Sequence, residues 1–254
     1  RMGPERADTM LIHLPKGVEC HIGFLFNLRR KSTPIERKDN SFYFIGITFR
    51  NFAAMTPSEK IRHKALEMGF DAVGIARCRP LTSQRETFDR WLERGYDGSL
   101  DYLRRNVDKR FDPALLFEGA RSVVVCAASY KRPPSTGPVA SRIASYARSR
   151  DYHLTIKEKL FELLKALEEL MPGSRGRVFT DTAPLSEKSW AVEAGLGWIG
   201  RHSLLVHPRL GSFLLLGEIV TTAELEPDAP FEGEGCGPCR ACMEACPAGA
   251  ILLD

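Results

Sequence analysis

The chain closes with "CGPCRACMEACPAGAILLD", in which Cys236, Cys239, Cys242 and Cys246 are spaced C-x2-C-x2-C-x3-C with Pro247 behind the last. No other feature limits the fold as strongly. Two-residue spacers hold three sulfurs within reach of one another, and soft thiolates in such a run select zinc or iron and sulfide. The length of the chain and the lack of a secretory pattern argue against a disulfide framework. Cys20, Cys78 and Cys126 stand alone, and Cys126, inside "RSVVVCAASY", reads as a small buried apolar residue.

The spacing with its terminal proline is that of bacterial ferredoxin-type 4Fe-4S modules, where three thiolates take corners of one cluster and the fourth serves another. Zinc sites more often pair two CxxC units across a longer loop, so iron–sulfur is the better reading. On that reading the remaining ligands belong to a second cysteine run beyond Asp254, and the chain is expected to be truncated and inactive by itself.

A length of 254 residues with 43% hydrophobic content suits one large domain plus a small appendage. No stretch approaches the roughly 20 apolar residues of a membrane span. Even "MLIHLPKGVECHIGFLFNLRR" is interrupted by Lys16 and Glu19, so a cytoplasmic protein with no membrane partner is expected. Net charge is +4 over residues 1 to 54, +7 over 55 to 150 and −7 over 151 to 254. The basic central block permits a nucleic-acid partner, although solvated surface is the commoner explanation of such a charge.

Residues 1–54 show no sustained helical or strand period and read as a leader or extension outside the main fold. From Met55 the pattern is regular. Thr56 or Ser58 can cap a helix carrying Ile61 and Leu66, which Gly69 ends before a strand near 72 to 76. Two short helices hinged at Gly95 to Gly98 are followed by a buried strand in "ARSVVVCAASY" and a Pro/Ser/Gly loop at "KRPPSTGP". The longest helix covers 153 to 171, with Ile156, Leu160, Leu163, Leu164, Leu167, Leu170 and Met171 on its core face. A strand in "GRVFTDTA", a helix begun by Pro184 and a pair of strands joined around His207 to Gly211 complete the series. Alternating helices and strands predict an α/β (α+β) fold with a central mixed sheet over 55–229 and a ferredoxin-like 4Fe-4S segment over 230–254.

"SRIASYARSRDYH", "FTDTAP", "AGLGWIGRHSLLVHPRLGSFLLLGEI" and "CGPCRACMEACPAGAI", in this order, resemble the epoxyqueuosine reductase family from about Met55 to Asp254. The resemblance implies a cobalamin-binding catalytic domain and reduction of epoxyqueuosine to queuosine in a tRNA anticodon loop, with electrons relayed from two 4Fe-4S clusters in the complete protein. It implies a monomer, a tRNA carrying epoxyqueuosine as substrate, and a flavodoxin or ferredoxin as electron donor. Cys236, Cys239, Cys242 and Cys246 are then metal ligands. Asp181 is then the general acid, a role that requires desolvation to raise its pKa; on the residues alone, Asp181 or Thr182 before Pro184 could equally cap a helix.

The same resemblance puts Arg105, Asp151, Tyr152, His153, Arg201, Ser203, Leu205, His207 and Leu216 around the cobalamin, with no protein histidine on cobalt. Arg201 departs from the family's usual lysine, exchanging a point charge for a planar fork. Three other readings stand beside it: a non-catalytic cobalamin- and tRNA-binding fragment, a corrinoid reductive dehalogenase, and a zinc-binding nucleic-acid module.

Overall fold

The computed structural model describes residues 42–44, 47–49, 54–131 and 143–252. Most of the extension at 1–54, Cys20 and nearly all of the "KRPPSTGP" loop lie outside them. The chain divides into two compact units, Arg1–Arg50 and Asn51–Asp254. In the first, β1 (Phe42–Phe44) pairs antiparallel with β2 (Ile47–Phe49), a short hairpin too brief to show as a periodic signal.

The second unit begins with α1 (Pro57–Glu67) and β3 (Ala72–Arg77). Thr56 caps α1: its hydroxyl accepts from the Glu59 N–H at 3.2 Å while the Glu59 carboxylate accepts from the Thr56 N–H at 2.8 Å. The chain continues through α2 (Thr82–Glu93), α3 (Val107–Phe111), β4 (Ser122–Ser129), α4 (Tyr152–Leu170), β5 (Gly176–Phe179) and α5 (Glu187–Glu193). It ends with β6 (Trp198–Ile199), β7 (Leu205–Val206), β8 (Leu214–Thr221) and α6 (Ala241–Glu244).

The central sheet has the order β3-β4-β8-β5. Every pairing in it is antiparallel, so the expected mixed sheet is corrected to an antiparallel one in an α+β arrangement. Alternation of helices and strands along the chain does not determine strand direction; β8, last in sequence, inserts between β4 and β5 and reverses the sense at each neighbour. The two strands around His207 to Gly211 also differ from a simple hairpin. His207 and Gly211 do form a bridge, but β7 pairs with β6 while β8 enters the central sheet.

Both faces of this sheet are covered, which is why "SVVVCAAS" is apolar without alternation. Val123, Val125 and Ala127 pack with Phe111, Leu185, Trp190 and Ala191 on one side. Val124, Cys126 and Ile219 pack with Ile61, Ala65, Ile156, Leu160 and Leu163 on the other. The stripe predicted for the longest helix supplies this second face. Gly217 lets α4 approach β8 closely, because a Cβ there would stand 2.6 Å from Ile156 Cγ2 and 2.7 Å from Leu160 Cδ1. Burial pushes the Cys126 thiol pKa up, consistent with an inert core residue. Among the described residues no helix is long and apolar enough to cross a membrane.

Candidate functional site

The loop between β5 and α5 carries the site. The buried Thr180 hydroxyl donates to the Leu216 carbonyl at 2.9 Å and ties the loop to β8. Asp181 follows in the left-handed region at φ 55°, a conformation that aspartate tolerates better than most residues. Its N–H donates to the Glu187 carboxylate at the start of α5. Helix α5 therefore begins at Glu187, not Pro184, and neither Asp181 nor Thr182 caps it, which corrects the capping alternative. Pro184 and the buried Leu185 belong to the turn before it.

Of three residues predicted from one tripeptide, Tyr152 and His153 reach this loop and Asp151 holds His153. Asp151 precedes α4 and accepts both the His153 N–H at 2.9 Å and His153 Nδ1 at 2.8 Å. Tyr152 Oη donates to Asp181 Oδ2 at 2.7 Å, and His153 Nε2 lies 3.2 Å from the same oxygen. The two rings stack with centroids 4.0 Å apart. The Asp151 hydrogen bond, followed by that of Asp181, raises the His153 pKa against a desolvation that lowers it. Burial and then the Asp181 carboxylate push the Tyr152 hydroxyl up. Asp181 itself is 59% exposed, so the protein alone does not desolvate it.

A cleft of about 420 Å³ opens beside Asp181, lined by Tyr152, Asp181, Leu204, Leu205, Leu214 to Leu216, Arg110, Glu187 and Lys188 among others. The predicted Leu205 and Leu216 are in this wall. Arg110 and Lys188, which the sequence reading missed, bring positive charge to it. Arg110 Nε is buried without a hydrogen-bond partner, and burial lowers its pKa. Burial likewise lowers Lys188, whose Nζ donates to the Ser203 carbonyl at 2.5 Å.

Three predicted residues stand elsewhere. Arg105 is exposed and does not line the cleft. Arg201 donates through both Nη atoms to the Cys239 and Gly237 carbonyls, so its fork clamps the cysteine segment instead of facing the cleft. His207 Nδ1 accepts the Arg209 and Leu210 N–H groups at 3.2 Å each, a turn-capping role. Ser203 contributes its carbonyl alone, from a left-handed conformation at φ 62°.

The cysteine run is partly exposed. Trp198 Nε1 donates to Cys236 Sγ at 3.4 Å while its ring stacks on Phe231. That bond, with a backbone N–H from Arg201, lowers the Cys236 pKa. Main-chain N–H groups, from Ala250 first and then Ala248, lower that of Cys246. Among the described residues no three His, Cys, Asp or Glu side chains converge as a metal site, so Cys236, Cys239 and Cys242 are not gathered as three corners of a cluster. A short exposed segment has no core of its own to press thiols together; metal–thiolate bonds are what gather such ligands.

Glu218 is the other residue that sequence reading passed over. It is fully buried in β8, opposite Val125 and Phe179 in register, on the face that α5 covers. Burial, then the Glu187 carboxyl, raise its pKa well above the usual range. A lone carboxylate within "LLLGEIVTT" was the available signal.

The molecule is thus an α+β domain with an acid-bearing cleft, followed by a cysteine run. Comparison with known proteins shows which family it resembles. The family described as epoxyqueuosine reductase QueG, DUF1730, matches residues 110–182. An epoxyqueuosine reductase of Cyclobacterium marinum is 42% identical over 196 residues, 76% of this chain and 63% of that protein. One from Leadbetterella byssophila is 39% identical over 76% of this chain and 64% of its own length. The solved epoxyqueuosine reductase from Streptococcus thermophilus superposes with a TM-score of 0.67 at 28% identity, covering 76% of this chain and 53% of that one. Another solved relative, crystallised with an epoxyqueuosine-modified tRNA stem loop, gives 0.66 at 28% identity, with 76% and 52% covered. The chain is similar to the epoxyqueuosine reductases over this shared stretch, and it spans a little under two thirds of the length of these curated relatives.

Proposed function

We propose that this chain carries the cofactor-binding and acid-bearing part of an enzyme that reduces epoxyqueuosine to queuosine in a tRNA anticodon loop. Residues 55–229 form that part, and 230–254 begin a 4Fe-4S domain. The reaction takes two electrons and two protons, breaks both epoxide C–O bonds, forms the alkene and releases water. What carries this reading is the convergence of Tyr152 and His153 on Asp181 at the edge of the cleft.

The cleft suits a planar macrocycle with amide arms: Leu205 and Leu216 offer an apolar surface, and the unpartnered Arg110 Nε offers a donor to an amide carbonyl. Cobalamin bound there supplies a reduced cobalt able to open the epoxide. The donor set of the cysteine run fits 4Fe-4S clusters, with Cys236, Cys239 and Cys242 holding three corners of one and Cys246 serving a second, and such clusters would supply electrons. Asp181 holds the proton for the departing epoxide oxygen. Tyr152 and His153 fix its carboxyl, and His153, with its raised pKa, can return a proton to Oδ2. Bound substrate and corrin would exclude the water that now reaches Asp181, giving the desolvation its role needs.

The test is Asp181→Asn in a version of the protein that includes the remaining part of its relatives' length, with an epoxyqueuosine-modified stem loop. Cobalamin binding is expected to persist and turnover to be lost. Turnover at the wild-type rate removes Asp181 from the mechanism.

A further inference from the structure

Below Asp181 lies a polar arrangement that the proposed reaction does not use. Glu218 is completely buried, and neither of its carboxyl oxygens receives an N–H or O–H donor among the described residues. An ionised carboxylate in that position would cost several kcal/mol. The polar group that meets it is another carboxyl, Glu187, from the first turn of α5. Two carboxylates cannot hydrogen-bond without a proton between them, so the contact requires at least one. Glu187 in turn accepts the Asp181 N–H, which holds Asp181 in its left-handed conformation.

We propose that Glu187 and Glu218 are a proton-sharing carboxyl pair that latches the Asp181 loop over the cleft. Glu218 is the donor and keeps its proton because it is the more deeply buried. Glu187 is the acceptor, taking the Glu218 O–H and the Asp181 N–H together. Both are positioning residues.

The surrounding charges agree with this division. The Asp181 N–H, Lys188 on α5 and the hydrogen bond from Glu218 favour an ionised Glu187, while the Asp181 carboxylate disfavours it. Burial dominates and brings Glu187 up to about 7. Tyr152 Oη from α4 is committed to Asp181, and the Cys126 thiol of β4, on the opposite face of the sheet, is itself pushed up by burial. No cation faces Glu218 itself among the described residues, so a proton is what neutralises it.

The inference rests on the acid role of Asp181 only for its purpose; the latch itself is testable without turnover. Infrared spectra of the wild-type chain near neutral pH should show the carbonyl band of a buried protonated carboxylic acid, and Glu218→Gln should remove it. Hydrogen exchange of the peptide spanning Phe179 to Leu185 supplies the second readout. Glu218→Gln, which keeps a donor towards Glu187, should retain wild-type protection, whereas Glu218→Leu, similar in size but without a donor, should lose it by about tenfold or more. Absence of the infrared band in wild type overturns the proposal, as does wild-type protection in Glu218→Leu. Should Glu218→Leu fail to fold, the infrared band and its loss in Glu218→Gln decide alone. Full turnover by Asp181→Asn with the infrared band unchanged would reject the acid role and leave the latch standing.

Discussion

Tyr152 Oη and Asp181 Oδ2 meet at 2.7 Å across 29 residues of sequence, joining the first residue of α4 to the loop after β5. Tyr152→Phe removes that bond and little else, since the ring can still stack on His153. Removing one hydrogen-bond partner and leaving the other unmatched costs about 1–3 kcal/mol. Turnover of the extended enzyme should fall about tenfold with cobalamin affinity nearly unchanged, as steady-state kinetics and a binding titration would report. Equal losses in both would make Tyr152 a cofactor contact instead.

Arg201→Lys should loosen the cysteine segment. A lysine cannot give the two divergent N–H bonds that reach the Cys239 and Gly237 carbonyls. Losing one neutral-acceptor bond to a charged donor corresponds to several-fold easier local opening. The labelling rate of Cys239 by a thiol reagent, compared with wild type, measures it.

Gly217→Ala should destabilise the domain by about 1–3 kcal/mol through overpacking, because the new methyl falls on Ile156 and Leu160. Denaturant titration would detect this as a lower midpoint with unchanged slope. The same change at the exposed Gly98 meets nothing within 4 Å, so any cost there comes from its positive φ and not from packing.

Stability should decline with rising pH. Glu187 has a folded pKa raised to about 7 from an ordinary 4.5, so the native state binds more protons than the unfolded one between those values. Its contribution is complete below about 4.5 and is lost as pH rises through about 7. His153, raised above its ordinary 6.5, adds a loss of the same sign. Scanning calorimetry from mildly acidic to mildly alkaline pH should show Tm falling by several degrees. Glu187→Gln should flatten the slope; an unchanged slope would assign it to other groups.

Much of the framework was legible in the chain itself. Periodicity placed the core face of α4, the β-branched run placed β4, and the Thr56–Pro57 start placed α1, because these signals depend on local geometry and on which side chains avoid water. The cysteine spacing and the family motifs pointed to chemistry before any coordinate. "RDYH" and "FTDTAP" could be named as site segments.

Other features needed the tertiary structure. Strand direction and the insertion of β8 between β4 and β5 follow from long-range pairing, which no local period encodes. The resemblance implied that Arg201 and His207 border the cofactor; their contacts, one to the Cys239 and Gly237 carbonyls and the other within a turn, are set by neighbouring backbone that only the fold supplies. Sequence alone determined the apolar faces of α4 and β4 and the spacing of the four terminal thiols. Tertiary structure decided that Tyr152 and His153 meet Asp181 and that Glu218 lies against Glu187, since electrostatic coupling depends on distance and solvent exclusion, and folding alone establishes both.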